Sequence, residues 1–486
     1  MALLPACDTL IVNGYVITMD GHRNVFTDGY VAMTDGEITA VGRMDELGHC
    51  AGETIDAGGA VVMPGMVNGH NHLVQNMFRG YNDQRWPVLD IPAAVRSLIA
   101  ELFSISAVMD EERSYAIVRL HALEMLKAGY VATHDEHFTN VRKDSVDGSW
   151  RALAESGMRG FLCRCIVNSD KVPEAGHENV EVGLQEVERL RKFGSDRIRV
   201  AASFVNYSFL EDPEDMRIIH EAADALGVGF GVDMTDNSRG AGLAARGHDG
   251  GQVFYYARYG LLDRPLYAGK AVNVLPEEFD LLADADARCA LVPMLRFFDG
   301  AGLPLHRFLE RGMLPGLGTD APLVTDCQDP FEVMRMTILA QNIAVKNELS
   351  SGGEKPAAAY WATAERVLEM ATLGGASALF MEDVTGSLEP GKAADCIIVD
   401  IAGAEFAHAP QRRIGALVWA GRAAQVRDVF VGGERLIADG RSTRWDEETV
   451  TTEAAAAMAA MAREAGLHSK MPARSPGESF RDWHYS

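Results

Sequence analysis

Several features that mark other classes of protein are missing from this sequence. The 486 residues contain no uninterrupted apolar stretch of about 18 residues, and no basic N-terminal region precedes a long apolar one. We therefore expect neither a membrane-spanning helix nor a signal peptide. The seven cysteines include no Cys-x-x-Cys pair, so we expect no disulfides and a reducing compartment. A soluble, cytoplasmic protein is the prediction.

Basic charge and phosphate-binding glycine motifs are scarce as well. The chain has 45 Lys and Arg against 69 Asp and Glu, a formal net charge of −24, and no basic run that could follow a phosphate backbone. Neither Gly-x-x-x-x-Gly-Lys nor a strand-linked Gly-x-Gly-x-x-Gly occurs. We expect a small-molecule substrate, no nucleic-acid or membrane partner, and no nucleotide cofactor.

Two kinds of sequence pattern divide the chain. Short β-rich segments with Asn-Gly, Asp-Gly and Gly-Gly turns fill residues 8–62 and return near the C-terminus, for example at 396–400. Between them helical and strand patterns alternate, with helices predicted over 110–127 and from 212 to Gly227. Repeated units of this kind favour a parallel barrel with its chemistry at the C-terminal ends of the strands. The predicted α/β fold is a (β/α)8 barrel over 63–384, a small composite β-sandwich domain from 1–62 and 385–445, and a C-terminal helix and tail over 446–486.

The strongest chemical signal is an apolar run that ends in a His-x-His pair. Residues 62–72 read VMPGMVNGHNH. Successive side chains on a strand point to opposite faces, so His70 and His72 share one face and can bind one ion. A lone pair of this kind is more often two solvated histidines near a loop. Here the apolar lead-in and the following Arg79-Gly80 favour a strand that ends in metal ligands.

Three motifs together resemble those of the amidohydrolase superfamily. They are PGMVNGHNH at 64–72, GLGTD at 316–320 and GSLEPGKAAD at 386–395, and they occur in the family's order over nearly the whole chain. The branch they resemble contains cytosine, guanine and S-adenosylhomocysteine deaminases and triazine hydrolases. The resemblance implies a β/α barrel with a composite β-domain and one divalent metal held by His70, His72 and Asp320. For Asp320 the alternative is a strand-end aspartate that caps the next turn.

Two positions depart from the pattern of that branch, which supplies a ligand His from strand five, within His-x-x-Glu, and a catalytic His at the end of strand six. Here the end of strand five reads DMTD, with Asp233 in the ligand position and Asp236 in that of the glutamate. In strand six, either Gly269 or Lys270 takes the position of the histidine, depending on register. Both expected histidines are therefore absent.

Two interpretations of this double change stay open. In the first, Asp233 is a metal ligand, and two imidazoles with two carboxylates make a harder site that shifts preference from Zn²⁺ toward Mn²⁺ or Fe²⁺. Water activation then falls to Asp236 or Asp320. In the second, Asp233 or Asp236 pairs with Lys270 and the metal is weakly held or absent. A buried Lys270 could also act as a base through a lowered pKa, or anchor an anionic group.

Further candidates lie around the predicted mouth of the barrel. The cluster His134-Asp135-Glu136-His137 follows strand two, and the resemblance to triazine hydrolases suggests His137 as a substrate contact; the alternative is a loop histidine bonded to backbone. His121 lies mid-helix and is expected to be a packing or surface residue. A predicted pocket wall, whose members could equally be core residues, consists of Trp86, Arg296 and Phe298.

The predicted function is metal-dependent hydrolysis of a C–N bond, by deamination or a related displacement, in a small nitrogen-containing, heterocyclic substrate. One divalent ion, Zn, Fe or Mn, would activate the water, and Asp320 or Asp236 would pass its proton to the leaving group. One alternative is a non-hydrolytic lyase, cyclase, hydratase or decarboxylase that uses Lys270 and carboxylates. Another is a binding protein that has lost its chemistry. A homo-oligomer, by default a dimer, is expected.

Overall fold

The computed structural model describes residues 6–48, 50–79, 91–235, 240–298, 300–325, 328–407 and 412–467. Eight parallel strands form a barrel, and a separate mixed sheet combines both ends of the chain. The predicted fold class is confirmed. The barrel strands are β6 (Met66–Asn68), β7 (Tyr130–His137), β8 (Arg159–Cys165), β9 (Ile198–Phe204), β10 (Gly229–Thr235), β11 (Tyr267–Val272), β12 (Arg288–Leu291) and β13 (Gly316–Leu317).

The first and last barrel strands are joined just beyond their C-terminal ends. The Gly69 N–H donates to the Leu317 carbonyl over 2.7 Å, and the Asp320 N–H donates to the His70 carbonyl over 3.0 Å. A Cβ atom at Gly318 would lie 2.7 Å from the His70 backbone nitrogen, so only glycine permits this approach. The Gly-rich motif before Asp320 therefore brings that carboxylate beside the strand-one histidines.

The second sheet has nine strands within the described ranges, and its strand order mixes the two ends of the chain. Strand β5 lies between β1 and β14, which couples the N-terminal strands to the C-terminal ones. The pairs β1/β4 and β1/β5 are parallel, and the others are antiparallel. The strands are β1 (Ala6–Ile17), β2 (Val25–Thr34), β3 (Glu37–Arg43), β4 (Cys50–Asp56), β5 (Val61–Pro64), β14 (Cys396–Val399), β15 (Val426–Val431), β16 (Glu434–Ala438) and β17 (Arg441–Ser442).

The predicted helix ends are found in the structure. Asp110 caps its helix by accepting from the Arg113 N–H, and Gly227 ends another in the left-handed conformation at φ +64°. In the described chain, no helix is both long and apolar enough to cross a membrane. The helices are α1 (Ile91–Ser106), α2 (Glu111–Lys127), α3 (Ser145–Ser156), α4 (Val180–Arg191), α5 (Pro213–Leu226), α6 (Ala241–Ala245), α7 (Gln252–Arg258), α8 (Phe279–Asp284), α9 (Leu295–Phe298), α10 (Leu305–Leu309), α11 (Pro322–Thr325), α12 (Pro330–Ser350), α13 (Ala364–Glu369), α14 (Gly375–Ala378), α15 (Arg413–Ala420) and α16 (Glu447–Glu464).

Apolar side chains fill the interior of the barrel toward the N-terminal ends of its strands. Phe161 and Tyr267 are the largest of them, and small residues from neighbouring strands complete the layer, namely Val67, Ala132, Cys163, Ala201 and Ala290. Because this apolar layer fills the barrel interior on that side, polar chemistry is confined to the C-terminal ends of the strands.

Candidate metal centre and active site

Five polar side chains from four barrel strands meet at the C-terminal end of the barrel. They follow β6 and β13 or lie within β10 and β11, and four of them are nearly fully buried. The carboxyl ends of parallel barrel strands face the same way, which explains why residues so far apart in sequence converge. The five are His70, His72, Asp233, Lys270 and Asp320.

His70 presents one unshared lone pair to the centre of the site. The Tyr267 hydroxyl donates to the Gly69 carbonyl over 2.8 Å, so its 2.7 Å contact with Nδ1 of His70 must be donated by the imidazole. Nε2 of His70 therefore carries no proton in the neutral ring, and this buried atom has no hydrogen-bond partner. Metal-binding histidines are oriented in the same way, through a hydrogen bond from the other ring nitrogen.

His72 repeats this arrangement against a carboxylate. Its Nδ1 lies 2.9 Å from the Glu136 backbone carbonyl, which can only accept, so Nε2 of the neutral ring holds the lone pair. That Nε2 atom is 3.2 Å from Oδ1 of Asp320, and Nε2 of His70 is 3.9 Å from the same oxygen. Two acceptors that face each other this closely need a cation between them, either a proton on His72 or a metal ion.

Lys270 forms the opposite side of the site. Its Nζ is 3.1 Å from Oδ2 of Asp233 and 3.2 Å from Oδ2 of Asp320. Burial lowers the pKa of Lys270, but these two carboxylates outweigh burial and raise the pKa above its ordinary value. The paired charges therefore favour the charged form of Lys270, and a role of this lysine as a base stays a prediction.

Backbone strain is concentrated at the same place. Lys270 has φ +58° and Asp320 has φ +60°, a left-handed conformation that costs free energy in residues other than glycine. At Gly269, a Cβ atom would lie 2.8 Å from Nδ1 of His70. The backbone of β11 thus makes room for His70 at one residue and turns a lysine into the site at the next.

The donor atoms fit a divalent metal ion. In the part of the chain that the structure describes, ligand atoms of His70, His72 and Asp233 lie within 4.8 Å of one another, and all three residues are buried. The lone pairs of both histidines face the site, and Asp320 adds a carboxylate oxygen. Imidazole and carboxylate ligands suit Zn²⁺, Mn²⁺ and Fe²⁺. Lys270 is compatible with such an ion only as a second positive charge on the far oxygens of the carboxylates.

The inward face of β7 contributes two residues to which sequence reasoning gave no role. His134 and Glu136 point into the barrel: the His134 ring stacks on Tyr267 with centroids 4.3 Å apart, and Nε2 of His134 is 3.3 Å from Oε2 of Glu136. His137 points to the other face of the strand. Its Nδ1 is 3.3 Å from Asp135 and its Nε2 is 3.3 Å from the Ser145 hydroxyl of α3, so it faces the helix layer. The signal for this division was the period-two alternation of a strand.

The other predicted residues divide into three groups. Trp86 and Asp236 lie outside the described residues, and so does the side chain of Phe298, whose backbone ends α9. Arg296 is buried and donates from Nε to the Gly302 carbonyl over 2.9 Å. His121, expected to be a packing or surface residue, is buried beside strand one and contacts the Leu73 carbonyl at 3.1 Å and Nδ2 of Asn71 at 3.3 Å.

Comparison with known proteins shows the family of this chain and its fold. The model of the amidohydrolase family matches residues 61–436. The chain is 27% identical to a 5-methylthioadenosine/S-adenosylhomocysteine deaminase of Nitratidesulfovibrio vulgaris (strain DSM 19637 / Miyazaki F) over 445 residues, which cover 90% of this chain and 94% of that one.

Two solved structures share the fold. The structure of an adenosine deaminase from Xanthomonas campestris with bound zinc aligns with a TM-score of 0.82 at 21% identity, covering 95% of this chain and all 100% of that chain. A zinc complex of an atrazine chlorohydrolase from Arthrobacter aurescens TC1 aligns with a TM-score of 0.80 at 22% identity, covering 93% of this chain and 100% of the other. At these identities the likeness concerns the fold.

Proposed function

The chain belongs to the amidohydrolase family, and from this premise we propose that it releases ammonia hydrolytically from a small amino-substituted nitrogen heterocycle. The predicted enzyme class, a hydrolase of carbon–nitrogen bonds other than peptide bonds, is confirmed by the family match and the relatives. Relatives named for 5-methylthioadenosine, S-adenosylhomocysteine and 5'-deoxyadenosine make purine nucleosides the first substrate class to test, ahead of aminotriazines.

One observation carries the proposal: Nε2 of His70 and Nε2 of His72 both face Oδ1 of Asp320, at 3.9 and 3.2 Å, and Nε2 of His70 has no hydrogen-bond partner. We assign His70, His72, Asp233 and Asp320 as the residues that would hold a divalent ion. When bound, such an ion supplies the Lewis acidity that makes water a nucleophile near neutral pH.

The protein's own groups then orient the reactants. Burial raises the pKa of Asp320, but Lys270 and the hydrogen bond with His72 lower it far more, so this carboxylate stays ionised. The ionised Asp320 carboxylate can accept a hydrogen bond from one O–H group of the attacking water and so hold that water in place. Asp236, the other predicted base, stays a prediction. Substrate-contact roles for Trp86, Arg296 and Phe298 also stay predictions.

A second candidate function rests on Lys270. Its contacts with Asp233 and Asp320 form a buried cation and carboxylate cluster of the kind that a lyase, cyclase or decarboxylase could use without hydrolysis. In ¹⁸O-labelled water a hydrolytic deaminase places one labelled oxygen in its product. A cyclisation, an elimination or a decarboxylation places none, and a hydration adds oxygen without releasing ammonia.

The test of the leading proposal is ammonia release from a panel of substrates. The full chain is purified, loaded separately with Zn²⁺, Mn²⁺ and Fe²⁺, and given 5'-deoxyadenosine, 5-methylthioadenosine, S-adenosylhomocysteine and an aminotriazine. We expect metal-dependent ammonia release with one labelled oxygen in the product. Full turnover after the metal is removed, or turnover without ammonia, would contradict the proposal.

A further inference from the structure

The inward face of β7 presents a carboxylate that the proposed function leaves without a task. Glu136 is almost fully buried near the end of this strand, inside the barrel. Its charge acts on Asp233 of β10, which places it close to the proposed metal ligands. One of its carboxylate oxygens, the His70 ligand nitrogen and the His134 ligand nitrogen lie within 4.8 Å of one another.

One oxygen of Glu136 is held by two neighbouring strands. Oε1 accepts from the Cys165 thiol over 2.5 Å and from the Ser203 hydroxyl over 3.2 Å. Burial, together with the charge of Glu136, raises the pKa of the Cys165 thiol well above its ordinary value, so the thiol stays protonated and can donate. These two contacts fix the carboxylate in one orientation, as a preorganised catalytic group requires.

The other oxygen, Oε2, has no hydrogen-bond partner although it is buried. Nε2 of His134 lies 3.3 Å away, but the two atoms do not form a hydrogen bond, and Nε2 also has no partner. A buried carboxylate oxygen without a donor costs free energy, which a bound ligand that donates an N–H or O–H recovers.

The free oxygen of Glu136 is better suited to bind substrate than to bind a second metal ion. The Asn71 N–H points at Nδ1 of His134 over 3.5 Å, which leaves the proton of the neutral ring on Nε2 and no lone pair there for a metal. His70 offers one lone pair, already directed toward the side of Asp320. Glu136 would therefore be the main ligand of a second ion, and one ligand is too few for a stable metal site.

The other carboxylates of the site are already engaged. Asp320 contacts Lys270 and His72 and accepts from the Ala321 N–H, and Asp233 contacts Lys270 and accepts from the Thr235 hydroxyl. In the described chain, Glu136 is a carboxylate beside His70 that pairs with no lysine or arginine, and its ion-pair contact is with Nε2 of His134 at 3.3 Å. It is thus the group best placed to exchange a proton with a reacting nitrogen.

We propose that Glu136 binds the leaving amino group through Oε2 and delivers to it a proton of the attacking water. This inference rests on the proposed function. The water oxygen bonds to the ring carbon, the carbon–nitrogen bond breaks, and the nitrogen leaves as ammonia with the proton carried by Glu136. The second water proton stays on the product as a ring N–H, and the carboxylate is regenerated.

The test compares Glu136→Gln with the wild type on two substrates that differ in leaving group. An aminopurine nucleoside needs a proton on its departing nitrogen, whereas the matching 6-chloropurine nucleoside loses chloride, which needs none. We expect kcat for the amine to fall about 100- to 10,000-fold, the range for loss of general acid catalysis. For the chloride, we expect kcat to fall less than about tenfold, because only the water proton must be accepted there and Asp320, which can hold the same water, can accept it. Metal per chain should stay as in the wild type, and Glu221→Gln on the exposed face of α5 is the matched control.

Two further variants separate catalysis from positioning. Cys165→Ala and Ser203→Ala each remove one donor to Oε1, and each should lower kcat for the amine by about tenfold while Glu136 is retained. Equal losses on amine and chloride in Glu136→Gln, or loss of its metal, would overturn this inference and leave the proposed function standing. A wild-type protein that acts on neither substrate class would contradict both.

Discussion

The two halves of the site differ in how the negative charge of their buried carboxylates is neutralised. On the side of β6, Nε2 of His70 and Nε2 of His72 lie 3.9 and 3.2 Å from Oδ1 of Asp320, and a proton on His72 or a metal ion must bridge these acceptors. On the side of β10 and β11, Asp233 is neutralised by Lys270, a cation that the chain itself supplies. Asp320 belongs to both halves, since one of its oxygens faces the histidines and the other faces the lysine.

This difference shows how one barrel can combine a cation of the chain itself, Lys270, with a bound metal ion. Two carboxylates and Lys270 leave one negative charge when both histidines are neutral, and a divalent ion turns that into one positive charge. We therefore expect the ion to need both halves, because the histidine half offers two neutral ligands and the lysine half offers Asp233 and sets the net charge.

The largest expected effect is that of His72→Ala, which breaks the histidine half. Loss of a ligand removes the ion, and we expect hydrolysis to fall by about 1,000-fold or more. Ammonia release from the best panel substrate is the measurement. His22→Ala, on an exposed turn, is the control and should keep wild-type activity. Near-normal turnover by His72→Ala would refute the metal role of this half.

Lys270→Met breaks the lysine half and leaves two buried carboxylates without their cation. We expect the metal-free protein to lose about 3–5 kcal/mol of unfolding free energy, as when one partner of a buried ion pair is removed. Denaturant unfolding in a chelator measures the loss, and added Zn²⁺ or Mn²⁺ should recover much of it by binding the folded state. The surface variant Lys192→Met should change stability by less than about 0.5 kcal/mol. Metal that does not stabilise Lys270→Met would count against a shared site.

Gly269→Ala sharpens the boundary between the halves. The added Cβ would lie 2.8 Å from Nδ1 of His70, so the His70 and Tyr267 pair must shift. We expect a loss of about 1–3 kcal/mol, the range for overpacking, together with weaker metal binding. Thermal unfolding and metal titration are the measurements. Gly415→Ala in α15, where a Cβ meets nothing within 4 Å, is the control. Unchanged metal affinity in Gly269→Ala would show that His70 does not need this space.

The smallest expected effect is a pH dependence that changes sign with metal. Burial lowers the pKa of His72, but its hydrogen bond to Asp320 prevails and raises the pKa above the ordinary 6.5. A raised pKa contributes stability that is complete below pH 6.5 and is lost as pH rises through the folded-state pKa. Metal-free protein should therefore lose stability as pH rises above 6.5, and His72→Gln should lose less. Metal affinity should rise over the same interval, because the ion needs unprotonated histidine. Parallel pH trends with and without metal would contradict this account.

Much of the fold could be predicted because its signals are local. Asp110 and Gly227 mark helix ends by capping and by a left-handed φ, and the apolar run before His70 marks a barrel strand. The nearness of His70, His72 and Asp320 could be predicted from the resemblance. The pairing of Lys270 with Asp233 was one of the two interpretations that the sequence left open. Its contact with Asp320 could not be predicted, because it depends on left-handed backbone at Lys270 and Asp320 that no local pattern indicates.

The alternation of side chains along β7 is a sequence signal that bears on the site. The alternation that separates His134 and Glu136 from Asp135 and His137 is visible in the sequence. Which pair faces the barrel depends on the register of β7 with β6, where Ala132 pairs with Val67. That register is a property of the assembled barrel, so the chain alone left the choice between the two pairs open.

The most direct test of the two-halves account is the metal content of wild-type protein, His72→Ala and Asp233→Ala after reconstitution with Zn²⁺, Mn²⁺ or Fe²⁺. We predict about one ion per chain in the wild type, with the ion lost in both variants, as expected for a site with ligands from β6 and β10. Wild-type protein that binds no ion under any of these conditions would contradict the account and move the chemistry to Lys270 and its carboxylates. An ion retained by Asp233→Ala would remove Asp233 from the ligand set.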